Sequence, residues 1–318
     1  MREHAKQANN VGQAEKFEAV GPAEPAGQVE RGGVADRSAA HGDIDTARAH
    51  LGEFRAGRAR AVVGPRGNLA LVNTQWITGD PAVGQPVWGV PGVWAPLPVG
   101  VSGLSLTATA SEGIIVDGDV VDGSVLVAGL DAMQPSSIRF SETLTGTVIA
   151  GEDGGYALRV WDAASEGIRD FGRIDAFPFD PDWVVEATFT PIPGRGEVSI
   201  AHLQDEGRTR QRALPGEITF TRDGVDYSLA AFEDGPSLLL VFADATNGVS
   251  TYSVGRFLRV SPEGDGTIRL DFNRAYLPPC AFSYSFNCPI APAQNRLAIL
   301  IEAGERMVLA ADGTPLHD

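Results

Sequence analysis

EITFTRDGVDYSLAAFEDGPSLLLVF, residues 217–242, decides the fold class. Three short runs, 217–221, 227–231 and 238–242, are separated by Asp, Gly and Pro punctuation that includes the pair Asp223-Gly224. Runs of this length suit strands, and a glycine accepts the positive φ of a tight hairpin turn. The same rhythm extends in both directions. Earlier runs fall at 69–72, 103–108, 113–116, 124–127, 145–150, 156–160, 184–189 and 197–202, and later ones at 256–260, 267–272 and 297–302. Asp117-Gly118, Asp122-Gly123 and Asp153-Gly154 supply further hairpin turns. No repeat of fixed period stands out, which disfavours a propeller. The reading is a mainly β protein: one β-rich domain over residues 43–318, a barrel or a pair of packed sheets.

The ends differ from this body. Residues 1–42 are Ala, Gly, Gln and Glu with Phe17 as the only aromatic, too little apolar surface to offset ordering, so they read as a disordered tail. An entry helix follows, capped by Asp45 or Thr46, with Ala47, Leu51, Phe54 and Arg58 at helical spacing. Two long stretches, 161–183 and 275–296, break the strand rhythm, and long loops in a compact β domain tend to carry function.

Composition excludes several classes. The 318 residues carry a formal net charge of −16, which repels a phosphate backbone and argues against nucleic acid as a partner. No run is apolar enough for a membrane-spanning helix, no basic amphipathic stretch offers a membrane contact, and the first ten residues lack a signal peptide's apolar core. The expected location is therefore the cytoplasm, with no membrane partner. Lys6 and Lys16 are the only lysines, so the body has none for a Schiff base or a phosphate loop. Dinucleotide, P-loop, HExxH and GxSxG signatures are absent, and neither a metal nor another cofactor is expected. Histidine is scarce, and His202, at the end of a strand pattern, reads as a surface or satisfied residue rather than a general base. Asp117, Asp119 and Asp122 lack the spacing of a calcium loop and fit turn chemistry better.

The dense polar constellation lies in the last third: Asp244, Thr246, Tyr252 and Arg256, then Asp271, Asn273, Arg274 and Tyr276, then Cys280, Cys288 and Asn295. On an extended strand Asp271 and Asn273 would share one face, with Phe272 and Arg274 on the other. Arg256 and Arg274 read as forks for the carboxylate or phosphate of an anionic small molecule, with Asp271 as acid–base group. The competing reading is an internal Arg–Asp network that satisfies buried polar groups. Cys280 and Cys288, framed by Pro278-Pro279 and Pro289, read as a disulfide, as a reactive Cys280 thiol beside a cation, or as two buried small hydrophobes. In the first long stretch, Arg159 and Asp162 stand among aromatics and either edge a folded-over loop or line one pocket together with the C-terminal loop.

The segments YALRVWD (156–162), RDFGRIDAFPFDPDW (169–183), VFADATNGVSTYSVGRFL (241–258), DFNRAYLPPCAFSYSFNCPIAPAQNRL (271–297) and IEAGER (301–306) resemble a bacterial and archaeal family catalogued as domain of unknown function 1684. The likeness runs from about residue 47 to 306. It implies positions rather than a reaction: Arg159, Asp162, Phe171, Asp244, Thr246, Tyr252, Arg256, Asp271, Asn273, Arg274, Tyr276, Cys280, Cys288, Asn295 and Glu305. The family pattern usually has Asn before the two prolines, where this chain has Leu277. Two functions follow as expectations: a protein or enzyme that binds an anionic metabolite through an Arg/Asp/Asn pocket, or a non-catalytic structural or interaction module.

Overall fold

The computed structural model describes residues 37–205 and 209–317, so the tail reading for residues 1–36 lies outside it. The architecture is mainly β with one long helix, α1 (Arg37–Val62). That helix starts ahead of the expected cap, so residues 37–42 are helical and Asp45 and Thr46 lie inside it. Ala39, Ala40, Ala47 and Arg48 are good helix formers and carry the helix across Gly42 and Asp43. Its buried face carries Leu51, Arg58 and Val62, a helical spacing with a charge in the middle.

The chain forms two compact units. The first takes in residues 75–139 and 147–158. It holds an antiparallel sheet whose strands Gln85–Pro86, Val93–Pro96, Leu104–Ala108 and Gly123–Val127 follow one another in space as in sequence. Trp94, Leu104, Leu106, Ile114 and Val127 have no exposed surface and form its core. The turn at Asp117-Gly118 has positive φ at both residues, 53° and 100°, the signature of a hairpin turn that matches strand twist. The Asp117 carboxylate accepts the Ser137 N–H at 2.7 Å and the Ser136 hydroxyl at 2.8 Å, so it works as a turn residue.

The second unit holds α1, residues 140–146 and residues 159–317. Its strands are β1 (Phe171–Ala176), β2 (Val184–Ala201), β3 (Thr209–Arg222), β4 (Val225–Asp234), β5 (Ser237–Phe242), β6 (Arg256–Val260), β7 (Thr267–Asp271) and β8 (Glu305–Ala310). Six of them form one antiparallel sheet in the order β6-β5-β4-β3-β2-β7, and β1 pairs with β8. β3 and β4 meet at Asp223-Gly224, again with positive φ at both residues. β6 and β7 are neighbours in sequence yet lie at opposite ends of the strand order. Residues 261–266 join them and are folded into turns, with Gly266 N–H on Glu263 O and Glu263 N–H on Thr267 O. Such a link cannot bridge a flat six-stranded sheet about 24 Å wide. The sheet therefore curls into a nearly closed barrel. The outer edge of β6 is bonded in turn by Tyr276, which exchanges both backbone hydrogen bonds with Phe257 at 2.8 Å.

The concave face is filled. Ile218, Leu229, Leu240, Phe242, Leu258, Leu270 and Phe272 are buried together. Phe272 stands edge-on to Phe242 at 5.5 Å and to Trp183 at 5.9 Å, a geometry aromatic pairs favour. A small barrel packed this way has a solid core rather than a ligand chamber.

Several expectations need correction. The runs 184–189 and 197–202 belong to one strand, β2, interrupted by a bulge between Pro191 and Gly196. Pro191 and Pro193 cannot donate to a ladder, and Gly194 has φ 78°. The stretch 161–183 is more ordered than a loop, since it holds a short helix at Glu166–Asp170 and strand β1. The partner of β1 is β8, far away in sequence, and no local pattern announces that pairing. Residues 297–302 are not a strand, and residues 272–274 leave β7 as a 3-10 turn.

Candidate functional site

Arg256 begins β6 and has no exposed surface. Its Nη2 meets Asp244 Oδ2 at 2.6 Å and the carbonyl of Ile301 at 2.9 Å, and its Nη1 donates to the carbonyls of Ala303 and Glu305. Only Nε lacks a hydrogen-bond partner among the described residues. The guanidinium thus does for the carbonyls of 301, 303 and 305 what a neighbouring strand would do, while Leu297 and Ile299 bond the backbone of Ala243 and Ala245. Burial lowers the Arg256 pKa and Asp244 opposes that shift. Asp244 is held in turn by the N–H and hydroxyl of Thr246, at 2.8 and 2.6 Å. Arg256 is therefore turned wholly inward, with no face left to fork an external anion, and Asp244 and Thr246 serve it.

A second buried pair lies beside it. Arg58 of α1 clamps Glu305 with two bonds of 2.9 and 2.8 Å, and Glu305 also accepts the Leu277 N–H at 2.8 Å. Burial alone would lower the Arg58 pKa, but Glu305 outweighs it and the net shift is upward. The Arg58 guanidinium lies 4.8 Å from the centre of the Tyr276 ring. Burial pushes the Tyr276 phenol up to about 12, and its hydroxyl has no hydrogen-bond partner among the described residues. Leu277 is fully buried with Val62, Leu69 and Phe282, so the position where the family usually has Asn is apolar packing here. Arg58 was legible only as one member of a helical stripe. Its charge on an otherwise apolar face was the available signal for a buried pair.

Asp271 and Asn273 do come together, but through a turn rather than strand alternation. The Asp271 carboxylate accepts the Asn273 N–H at 3.1 Å and its Nδ2 at 3.0 Å. Asn273 also exchanges two bonds of 2.8 Å with the backbone of Asp180. Asp271 is thus a half-buried cap, and the expected acid–base group has no base or nucleophile among these partners. Arg274 lies over Phe54 of α1 at 4.8 Å. Asn295, fully buried, satisfies both backbone groups of Ala230 and the carbonyl of Val241 at 2.7–2.8 Å. It acts as a polar rung inserted between β4 and β5.

Cys280 and Cys288 are free thiols, both buried. The Cys280 N–H points at Cys288 Sγ at 3.2 Å. The neighbouring Cys288 side chain holds the Cys280 thiol below the usual range, whereas burial pushes Cys288 well above it. The Tyr252 hydroxyl donates to the Cys280 carbonyl at 3.3 Å, and burial raises its pKa.

His202 lies buried rather than at the surface, with its Nδ1 3.7 Å from Asp205 Oδ2. It is 4% exposed, and its Nδ1 has no hydrogen-bond partner among the described residues. Burial, reinforced by Arg210 and Arg212, lowers its pKa to about 4 against the pull of Asp205, so the ring is neutral at pH 7. Asp205 receives Arg210 through two bonds of 2.8 and 3.1 Å and Asn287 Nδ2 at 2.8 Å. Gln204 binds the same loop, its N–H on Asn287 Oδ1 and its side chain on Tyr284 O. The end of the long β2–β3 hairpin is thus pinned to the loop between the cysteines. Sequence reasoning missed this contact, which depends on a tertiary approach.

The two long stretches do meet. Trp161 packs edge-on against Phe286, and Arg159 lies over the same ring at 5.5 Å. The contact is packing, centred on Phe286. Asp162 faces its own turn and accepts the Ala164 N–H at 2.8 Å. A separate open groove of about 620 Å³ lies along β2, β3, β4 and β7 and is lined by Glu186, Thr188, Thr219, Thr221, Asp226 and Ser228. No group of three or more His, Cys, Asp or Glu able to hold a metal ion occurs among the described residues, and no helix there is long and apolar enough to cross a membrane.

Fold and site together define a β protein in which the buried Arg58, Asp244, Arg256 and Glu305 bond one another and the backbone. The family model described as "Protein of unknown function (DUF1684)" matches residues 169–306. An uncharacterized protein of Haloarcula marismortui, known from a solution NMR structure, is 35% identical over 43% of this chain and 77% of that one, with a TM-score of 0.36. No curated protein matches. The match over residues 169–306 supports the resemblance to the DUF1684 family.

Proposed function

We propose that this chain is a non-catalytic module, in which the family's polar residues form an internal frame that holds the 280–290 loop and the β2–β3 hairpin in one shape for a partner protein. The observation that supports this is Arg256: it is fully buried and bonds Asp244 and three backbone carbonyls. A residue built to receive an external anion needs a guanidinium face that the anion can reach. The experiment is a thermal-shift screen over anionic metabolites with the native chain and Arg274→Ala, alongside a pull-down with the native chain. The expected result is no stabilisation by any anion and recovery of a protein partner. A metabolite that raises Tm in the native chain and fails to do so in Arg274→Ala would restore the pocket reading.

The groove on the outer sheet face favours a second reading, small-molecule binding of a different kind. Its lining offers threonine and serine hydroxyls with the carboxylates of Glu186 and Asp226. Those groups suit a polyhydroxylated or cationic ligand, since carboxylates repel an anion. Adding sugars and polyamines to the same screen tests this, with Asp226→Asn as the variant that must lose any response.

A further inference from the structure

We propose that Cys280 and Cys288 are a dithiol pair that closes to a reversible intramolecular disulfide under a peroxide oxidant. Cys280 sits in the 3-10 turn Pro279–Ala281, and Pro289 follows Cys288, so prolines restrict the backbone beside both cysteines. The loop between them is anchored on several sides. Ser283 Oγ donates to Leu71 O at 2.6 Å, and His317 Nε2 meets Phe282 O at 2.8 Å. Asn287 bonds Asp205, and Leu203 N–H bonds Cys288 O at 3.1 Å. The reduced loop therefore already holds the Cys288 sulfur against the backbone of Cys280, with the Cys280 N–H on Cys288 Sγ at 3.2 Å. Thiols held this way react with each other at a high effective concentration, and little ordering is left to be done when the bond forms.

The two sulfurs are not equivalent. The Cys280 N–H bonds the Cys288 sulfur, but burial outweighs that bond and pushes the Cys288 thiol well above its usual range, whereas the nearby Cys288 side chain holds the Cys280 thiol below it. The thiolate is the nucleophile, and the thiol with the lower pKa supplies more of it. Cys280 is accordingly the attacking sulfur and Cys288 the resolving one. In the first step the Cys280 thiolate attacks one oxygen of hydrogen peroxide, the O–O bond breaks, and Cys280 becomes a sulfenic acid as hydroxide leaves. In the second, the Cys288 sulfur attacks the Cys280 sulfur and the S–O bond breaks. The departing hydroxide takes the Cys288 proton and leaves as water. The sum is two thiols and one peroxide giving one disulfide and two waters. A small dithiol reductant reverses it by exchange through a mixed disulfide. Both thiols are nearly sealed, at 2% and 3% exposure, so a small oxidant is favoured over a bulky disulfide.

The test uses the full chain treated with hydrogen peroxide, then denatured, alkylated and weighed. The expected result is joint loss of both alkylatable thiols, a mass lower by two hydrogens, and full recovery of both thiols after dithiothreitol. Cys288→Ala should stall at a sulfenic acid on Cys280 that dimedone traps, while Cys280→Ala should leave Cys288 unreacted. Circular dichroism of each variant establishes that it is folded, and the native-chain result stands without them. Two alkylatable thiols after peroxide, a disulfide between two chains, or oxidation of Cys280 beyond sulfenic acid without a disulfide would overturn the proposal. Dimedone trapping on Cys288 instead would overturn the assigned order of attack.

Discussion

The barrel wall and the segment 271–305 solve the same problem by different means. In the wall, β2 to β7 pair their backbone groups with neighbouring strands, and side chains are left to pack the concave face. In the segment, side chains do the pairing. Arg256 takes the carbonyls of 301, 303 and 305, Asn295 takes Ala230 and Val241, Asn273 takes Asp180, and Glu305 takes Leu277. A dense set of charged and amide residues in a sequence can thus mark irregular backbone that must be satisfied inside the protein. It need not mark a binding pocket.

The sharpest way to break this comparison is Arg256→Ala. It leaves the Asp244 charge buried without its partner, a loss of about 3–5 kcal/mol, read by chemical denaturation. A variant as stable as the native chain would mean that the frame is not structural. Asn295→Ala comes next, since it strands both backbone groups of Ala230. The expected loss is about 2–3 kcal/mol, again from denaturation midpoints.

The third handle is pH. His202 has its folded pKa lowered to about 4 from an ordinary value of 6.5. The unfolded chain then binds a proton at a pH where the folded chain does not. The contribution of His202 to stability is complete above about 6.5 and is lost as pH falls from there toward 4. Melting temperatures across that window should fall, and His202→Gln should flatten the slope. If the native and variant slopes coincide, the ring is not buried neutral. The smallest effect belongs to the wall's outer face: Thr219→Ala, in the groove, should change stability by no more than about 0.5 kcal/mol.

Much of the wall was legible because its signals are local. The runs at 217–221, 227–231, 238–242 and 256–260 lie inside observed strands, and the Asp223-Gly224 turn has the backbone that its residues imply. The pairing of β1 with β8 was not legible, because nothing in FGRIDA specifies a partner more than a hundred residues on. The segment was legible as a constellation but not in its direction. Asp271 with Asn273, and Asp244 with Arg256, do meet, whereas residue types alone do not tell a guanidinium that faces solvent from one that faces three carbonyls. Arg58 and His202 were underrated for the same reason, since burial is decided by tertiary packing.

The short link between β6 and β7 has a bearing on how copies of this chain treat one another. Because the outermost strands are tied back and Tyr276 caps one of them, neither offers a long open row of amides to a passing molecule. A protease cut between Glu263 and Gly264 would untie both at once, and exchange of strands between nicked molecules would then be the nearest route to burying them again.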